Sequence, residues 1–303
     1  MRLAHGNLGA KVIALAFSPD GKSIATAHSD RRVMLQHVAD GSVPIRWLNY
    51  RGSPKALSFS PDGRSLAVAG DESDVRFFDM GTAGTERLVG MPIRQVRALA
   101  YSPDGRTLAA SSALDNDIVL WDPGAGRARS VLRGSASPVM RIAFSPDGTS
   151  LASGAIADDA VCIWDLATGR PQLRLEVACG PILSIAFSPA GGLLAACSAV
   201  ERCARVWNVR SGRLERIIAG QPVAINSAAF SPDGGILATA DADGAIRLWS
   251  VLTGRKLSRL EGRASWFESV AFSPDGKVLA ATGGGDDVWL WDLAQLAGTM
   301  ADR

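Results

Sequence analysis

One five-residue phrase recurs seven times along the chain and constrains its fold more than any other feature. It reads FSPDG at Phe17, Phe59, Phe144, Phe230 and Phe272, YSPDG at Tyr101 and FSPAG at Phe187. Successive copies begin 42 or 43 residues apart. A fixed period of this length marks a repeat architecture, in which each unit buries its apolar face only by stacking on its neighbours. The length of 303 residues would otherwise suggest two domains.

A second anchor keeps step with the first. It is an aromatic at the end of an apolar run: Phe78, Trp121, Trp164, Trp207, Trp249 and Trp291, with Gln36 at the equivalent place in the first copy. From each of these to the next phrase the distance is always 23 residues. From phrase to anchor it is 19 residues in copies one, two, six and seven, and 20 in copies three, four and five. A Leu or Ile (Ile24, Leu66, Leu108, Leu151, Leu194, Leu237, Leu279) always stands seven residues after the phrase aromatic. The extra residue therefore falls after that point, in a polar stretch that reads as a turn; turns tolerate insertion and paired strands do not.

Copy six shows four strand-like runs. Ile225 to Phe230 is followed by the turn signal Ser231-Pro232-Asp233-Gly234, then come Ile236 to Ala240, the turn at Asp241 to Gly244, and the alternating run Ala245 to Trp249. Thr253-Gly254 turns the chain into a more polar fourth run, Arg255 to Leu260. Four strands of about five or six residues with tight turns fill such a period. The one helical candidate is the tail from Leu293 to Met300.

The FSPDG phrases, the pairs Trp121-Asp122, Trp164-Asp165 and Trp291-Asp292, and the looser Trp207-Asn208 and Trp249-Ser250 resemble the WD40-repeat family over nearly the whole chain. The resemblance implies an all-β fold: one seven-bladed β-propeller domain over residues 1–303, each blade a four-stranded antiparallel sheet around a central channel. The phrase wording and the richness in Ala, Gly and Arg resemble bacterial-type repeats. Family rings often close by pairing the two chain ends. Leu296 stands where copies three to six carry Gly126, Gly169, Gly212 and Gly254, so Met1 to His5 is expected as the outer strand of the last blade, beside Trp289 to Trp291. The alternative supplier is Gly298 to Arg303.

Composition narrows the function. Net charge is +2, with 32 basic and 30 acidic side chains, which gives no electrostatic footprint for nucleic acid. No stretch approaches the roughly 18 apolar residues that span a bilayer. Lys11 to Phe17 has the look of a signal-peptide core but aligns with the first strand of every other copy. Cys162, Cys179, Cys197 and Cys203 read as small buried residues in a reducing, cytoplasmic setting, with a Cys197–Cys203 cross-strand disulfide as the alternative. Cysteine spacing and the three histidines (His5, His28, His37) support no zinc site and no nucleophile motif. No cofactor, metal or catalytic residue is expected. Gly283-Gly284-Gly285 reads as a β-turn because no Lys-Ser/Thr follows it.

An acid stands six residues before the third-strand anchor in six copies: Asp30, Glu72, Asp115, Asp158, Glu201 and Asp243, with Gly285 in the seventh. The resemblance places these at the turn position of a buried Asp-His-Ser/Thr-Trp network, with Thr26, Ser111 and Thr239 at its hydroxyl position. Histidines are missing from the loops between blades apart from His5, so the acids are expected to cap their own turns through backbone N–H groups.

Function is expected at the positions that do not repeat. Four residues before the phrase aromatic stand Ile13, Lys55, Arg97, Met140, Leu183, Asn226 and Glu268; six before it the set includes Lys11, Gln95 and Trp266. Seven before the third-strand anchor it includes Asp71, Leu114 and Val200. The resemblance puts all three sets at the channel mouth. Trp266, Glu268, Arg97, Lys55, Gln95, Asp71, Met140, Leu183, Leu114 and Val200 are the candidate partner-binding residues, aromatics, Arg and Met being the types enriched in interfaces. The leading reading is a non-catalytic scaffold for a protein or peptide partner, as a monomer, with no nucleic-acid or membrane partner. The alternatives are an enzyme or small-ligand binder using the channel, or the sensor or docking part of a larger signalling protein.

Overall fold

In a computed structural model, the structure describes residues 2–3, 9–39, 44–72, 74–81, 86–90, 93–177, 180–262 and 264–294; of residues 2, 3, 44–47 and 86 it describes the backbone alone. A two-residue strand, β1 (Arg2–Leu3), precedes the first blade: β2 (Val12–Phe17), β3 (Ser23–His28), β4 (Arg32–His37) and β5 (Pro44–Asn49). The second blade is β6 (Pro54–Phe59), β7 (Ser65–Gly70), β8 (Asp74–Asp79) and β9 (Glu86–Gly90). The third is β10 (Val96–Tyr101), β11 (Leu108–Ser112), β12 (Ile118–Asp122) and β13 (Arg127–Leu132). The fourth is β14 (Val139–Phe144), β15 (Ser150–Ala155), β16 (Ala160–Asp165) and β17 (Arg170–Glu176). The fifth is β18 (Ile182–Phe187), β19 (Leu193–Ser198), β20 (Cys203–Asn208) and β21 (Leu214–Ala219). The sixth is β22 (Ile225–Phe230), β23 (Ile236–Asp241), β24 (Ala245–Ser250) and β25 (Lys256–Glu261). The last blade joins β26 (Phe267–Phe272), β27 (Val278–Gly283) and β28 (Val288–Asp292) to β1.

The chain is thus an all-β, seven-bladed propeller of antiparallel four-stranded sheets. The ring closes through the N-terminal strand, with Arg2 opposite Trp289 and Leu3 opposite Val288. Arg2 and Leu3 fall within the expected Met1 to His5; Met1, Ala4 and His5 lie outside the described residues, as does the tail beyond residue 294. The variable residue falls where its spacing places it. Between the second and third strands the last pairs, Ser111–Ile118, Gly154–Val161 and Cys197–Ala204, enclose six residues in blades three to five, against five within Ala27–Val33, Ala240–Ile246 and Thr282–Val288 in blades one, six and seven.

Each phrase builds a locked turn. Ser18 Oγ donates to Asp20 Oδ1 at 2.6 Å, that carboxylate accepts the Lys22 N–H at 3.0 Å, and Ser18 Oγ accepts the Ser23 N–H at 2.9 Å. The hydroxyl and the backbone N–H hold the Asp20 carboxyl below the usual carboxylate range, and Asp62, Asp104, Asp147, Asp233 and Asp275 are held down in the same way. The core lies between neighbouring blades. Ala67 and Phe77 of the second blade pack with Leu99 and Trp121 of the third, and at the closing seam Val12 and Ile24 pack with Val288 and Leu290. Each fully buried side chain of this kind contributes about 1.5–3 kcal/mol.

Cys162, Cys197 and Cys203 are free thiols, and Cys197 faces Ala204 rather than Cys203, so the alternative of a cross-strand disulfide is not realised. Cys179 lies outside the described residues. No helix among the described residues is long and apolar enough to cross a membrane.

Candidate functional site: the channel and its mouth

All seven innermost strands carry a β-bulge at the same place. In β2, Val12 pairs with His28 and Ala14 with Ala27, leaving Ile13 as the extra residue. The same register shift singles out Lys55, Arg97, Met140, Leu183, Asn226 and Glu268. A bulge leaves one residue unpaired and re-aims its side chain. The seven positions that differ most in chemistry are therefore the seven the ladder does not constrain.

The central channel encloses about 380 Å³. Ile13, Lys55, Arg97, Leu183 and Glu268 line it, over an apolar belt that includes Leu57, Leu99, Ile142 and Ile185. Met140 and Asn226 do not line it. Asn226 turns sideways, its Nδ2 donating to the Phe267 carbonyl of the next blade at 2.7 Å. In the fourth blade the wall position is taken by Arg141 instead of Met140. Arg141 Nε donates to the Leu183 carbonyl at 2.7 Å and Nη1 to the Met140 carbonyl at 2.9 Å, which bridges blades four and five. Burial pushes the Arg141 guanidinium pKa down, and the neighbouring positive charge of Arg97 pushes it further; Glu268 acts in the opposite direction.

Arg141 was not among the sequence candidates, yet the chain carries a signal for it. Three residues before the phrase aromatic the other copies have Ala14, Ala56, Ala98, Ser184, Ser227 and Ser269. An arginine in a column of small residues breaks the repeat as clearly as the bulge positions do.

At the mouth, Trp266 is 39% exposed and packs against Gly284, where a Cβ would lie 2.8 Å from the indole ring. The Gly284 N–H donates to the Trp266 carbonyl at 3.0 Å, so the glycine run is a turn that also seats an aromatic. Lys11 reaches across the closing seam to Glu268 at 2.6 Å, with its ammonium 5.9 Å from the Trp266 ring centre. Lys55 donates to Ser53 Oγ at 3.0 Å and lies 3.9 Å from Asp71. Gln95 is exposed at a positive φ of 49°. Leu114 and Val200 are exposed on loops of the same class, and Ile156, absent from the sequence candidates, extends their apolar sector. Met140 and Leu183 are half-buried.

The family model described as IFT122 first beta-propeller matches residues 95–301. The chain belongs to that family. A second model, WD domain, G-beta repeat, matches residues 2–35 and 49–79, which takes in the closing strand and most of the inner three strands of the first two blades. A search of curated proteins gives no match.

Against that WD40-repeat background the buried hydroxyl network is partial. Trp249 Nε1 donates to Thr239 Oγ1 at 3.1 Å, as its spacing implies. Trp164 Nε1 donates at 2.8 Å to Ser153, one residue further away in sequence than the pattern suggests. Thr26 instead pairs with His28 Nε2 at 2.9 Å, beside Gln36 rather than a tryptophan. The acids divide as well. Asp30 and Asp243 accept backbone N–H groups of their own turns, at 3.3 and 3.2 Å. Glu72 and Glu201 form ion pairs with Arg76 and Arg205, at 3.2 and 2.6 Å. Asp243 adds a similar pair to Arg247 at 2.7 Å. The reason is the side chain two residues before the third-strand anchor: where it is Arg, the acid four residues earlier turns to it. Among the described residues no group of three or more His, Cys, Asp and Glu is placed to hold a metal ion.

Proposed function

We propose that residues 1–303 act as one propeller domain, a non-catalytic, monomeric and cytoplasmic scaffold that docks a protein or peptide partner on its channel mouth. The observation that carries this reading is the division of labour in the inner strands: the paired positions repeat from blade to blade, while five of the seven bulge positions, Ile13, Lys55, Arg97, Leu183 and Glu268, present five different side chains to one channel. Trp266 offers an exposed aromatic anchor at the rim, and Leu114, Ile156 and Val200 an apolar sector opposite. Large aromatics and arginines in such settings supply most of the binding energy of an interface. Membership of a WD40-type propeller family supports the scaffold class, and a fold by itself names no partner. The bacterial-type origin is a reading of wording and composition.

The test is quantitative affinity capture with the wild-type chain and with a Trp266→Ala/Arg97→Glu double variant. The expected result is a specific bound protein whose capture falls by at least roughly ten-fold in the variant. Identical capture by both proteins would move the docking surface away from the channel mouth.

A further inference from the structure

The wall of the channel is not electrically balanced. Lys55, Arg97 and Arg141 enter it from three consecutive blades, and Glu268 is its one acid among the lining residues. Glu268 is already matched by Lys11 at 2.6 Å, on the far side of the ring seam. Arg97 makes no hydrogen bond or ion pair with any described residue, although it is half-buried and lines the cavity. Arg141 spends Nε and Nη1 on two carbonyls, which fixes its plane and leaves Nη2 as an unused donor facing the same space. Burial lowers the Arg141 pKa, and the positive charge of Arg97 adds to that lowering. Two guanidiniums that line one channel, one of them held by backbone carbonyls, supply the donors that recognise planar or tetrahedral oxyanions.

We propose that the channel is an anion site, in which Arg97 and Arg141, with Lys55 on their flank, hold the phosphate or carboxylate group of a small ligand. The bulge that frees Arg97 from the ladder gives it the reach to close on a group already oriented by Arg141. A volume of about 380 Å³ admits a small molecule and excludes a folded element. The apolar belt of Leu57, Leu99 and Ile142 below the charges lowers the local dielectric, which strengthens a charge-assisted hydrogen bond. This inference concerns the channel wall; it shares Arg97 with the docking reading and is separated from it by Trp266, which is not among the lining residues.

The experiment is calorimetric titration of the full chain with inorganic phosphate, pyrophosphate and citrate at fixed ionic strength. Saturable binding of at least one anion is expected, weakened roughly ten-fold or more by Arg97→Gln. Arg97 makes no hydrogen bond or ion pair with any described residue, and Gln keeps most of its stem, so thermal unfolding of that variant is expected to match the wild type and keeps the test independent of stability. Arg141→Gln should abolish binding and also lower stability, because two carbonyls lose their donor. Trp266→Ala should leave the affinity within about two-fold, which separates this site from rim docking. Preference for the phosphates over citrate identifies a phosphate ligand, and the reverse a carboxylate one. The proposal is overturned if none of the three anions binds saturably, or if Arg97→Gln binds as tightly as the wild type.

Discussion

Gly21 and Pro274 meet across the seam where the ring closes: a Cβ on Gly21 would sit 3.4 Å from Pro274 Cδ. The same neighbour relation recurs between Gly63 and Pro19, Gly105 and Pro61, Gly148 and Pro103, Gly191 and Pro146, Gly234 and Pro189, and Gly276 and Pro232, at 3.4–3.7 Å. Each phrase turn therefore leans its glycine on the proline of the blade before it, and the contacts run unbroken around seven blades. Gly21 has a φ of 70°, which only glycine adopts without strain, so the turn conformation and the inter-blade contact depend on the same residue. The seam between the chain ends is packed with the same parts as the six internal seams. It differs at the outer edge, where the fourth strand comes from the other end of the chain, Arg2–Leu3.

Removing residues 1–6 tests that edge. The deletion uncovers the outer side of β28 and removes a two-residue ladder, whose backbone hydrogen bonds are worth about 1 kcal/mol each. The inner packing of Val12, Ile24, Val288 and Leu290 remains. A fall in melting temperature of several degrees is expected, together with concentration-dependent scattering from the exposed strand edge. An unchanged melting temperature and clear solutions would show that β1 is dispensable for closure.

The fifth blade carries the one phrase without its carboxylate. Ser188 Oγ still accepts the Leu193 N–H at 3.0 Å, but Ala190 gives its hydroxyl nothing to donate to. In the other six turns the serine donates to Asp at 2.5–2.6 Å. Ala190→Asp restores that bond and offers an acceptor to the Gly192 N–H. The turn is exposed, so the gain is about 0.5–1 kcal/mol, read as a rise of one to a few degrees in melting temperature. Because such an Asp has a lowered folded-state pKa, the gain is present above about pH 4 and is lost as pH falls through the folded-state value. A variant no more stable than wild type at pH 7 would refute this account of the turn.

Asp241 titrates with the opposite sign. It is fully buried, its Oδ2 accepts from Arg247 Nη1, and burial pushes its pKa up from 3.8 to about 6 against the pull of that arginine, with Asp243 adding repulsion. Cys197, packed nearby, has its own thiol pushed up by burial and by the Asp241 charge. Between about pH 4 and 6 the folded chain holds a proton that the unfolded chain has released, so this group lowers stability as pH rises. Asp241→Asn is expected to remove a decline of the order of 2 kcal/mol over that interval, measured by denaturant unfolding at pH 4.5 and 7. Arg247 keeps Asp243 as a partner in the variant. If wild type and variant show the same pH dependence, Asp241 is ionised throughout.

Phrase and anchor spacing located the seven repeats and the variable turn, and the WD40 resemblance turned them into blades and pointed to the terminus that closes the ring, because turn and anchor residues obey local rules that each copy restates. The bulges were not legible. Nothing in Ile13, Lys55 or Arg97 marks an extra residue in a ladder; the shift emerges only when the partner strand is laid beside it. The unmatched column coincides with the bulges, and five of its seven residues line the channel, while in the fourth blade Arg141 takes the wall in place of Met140. The acids misled for a related reason. Capping is a local choice, while the Glu72–Arg76 and Glu201–Arg205 pairs depend on two side chains on one face of a strand and its turn. The period-two alternation of β8 and β20 would have placed both arginines there.

The buried indole of Trp164 gives the sharpest energetic test of the repeat. Its ring is fully buried, and its N–H finds a hydroxyl at Ser153, itself buried, at 2.8 Å. Ser153→Ala leaves the N–H without its partner, at a cost of about 1–3 kcal/mol, while removing almost no apolar contact. Trp164→Phe loses ring volume as well as the N–H and so costs more, about 2–4 kcal/mol. In the phenylalanine background Ser153→Ala no longer strands a donor, and its cost should fall by about 1 kcal/mol or more, a coupling that a double-mutant cycle reads directly. Denaturant unfolding of the four proteins supplies the cycle, with equal slopes required for the comparison. Strict additivity would mean that the serine is a space-filler and that the third-strand tryptophans hold their blades by packing alone.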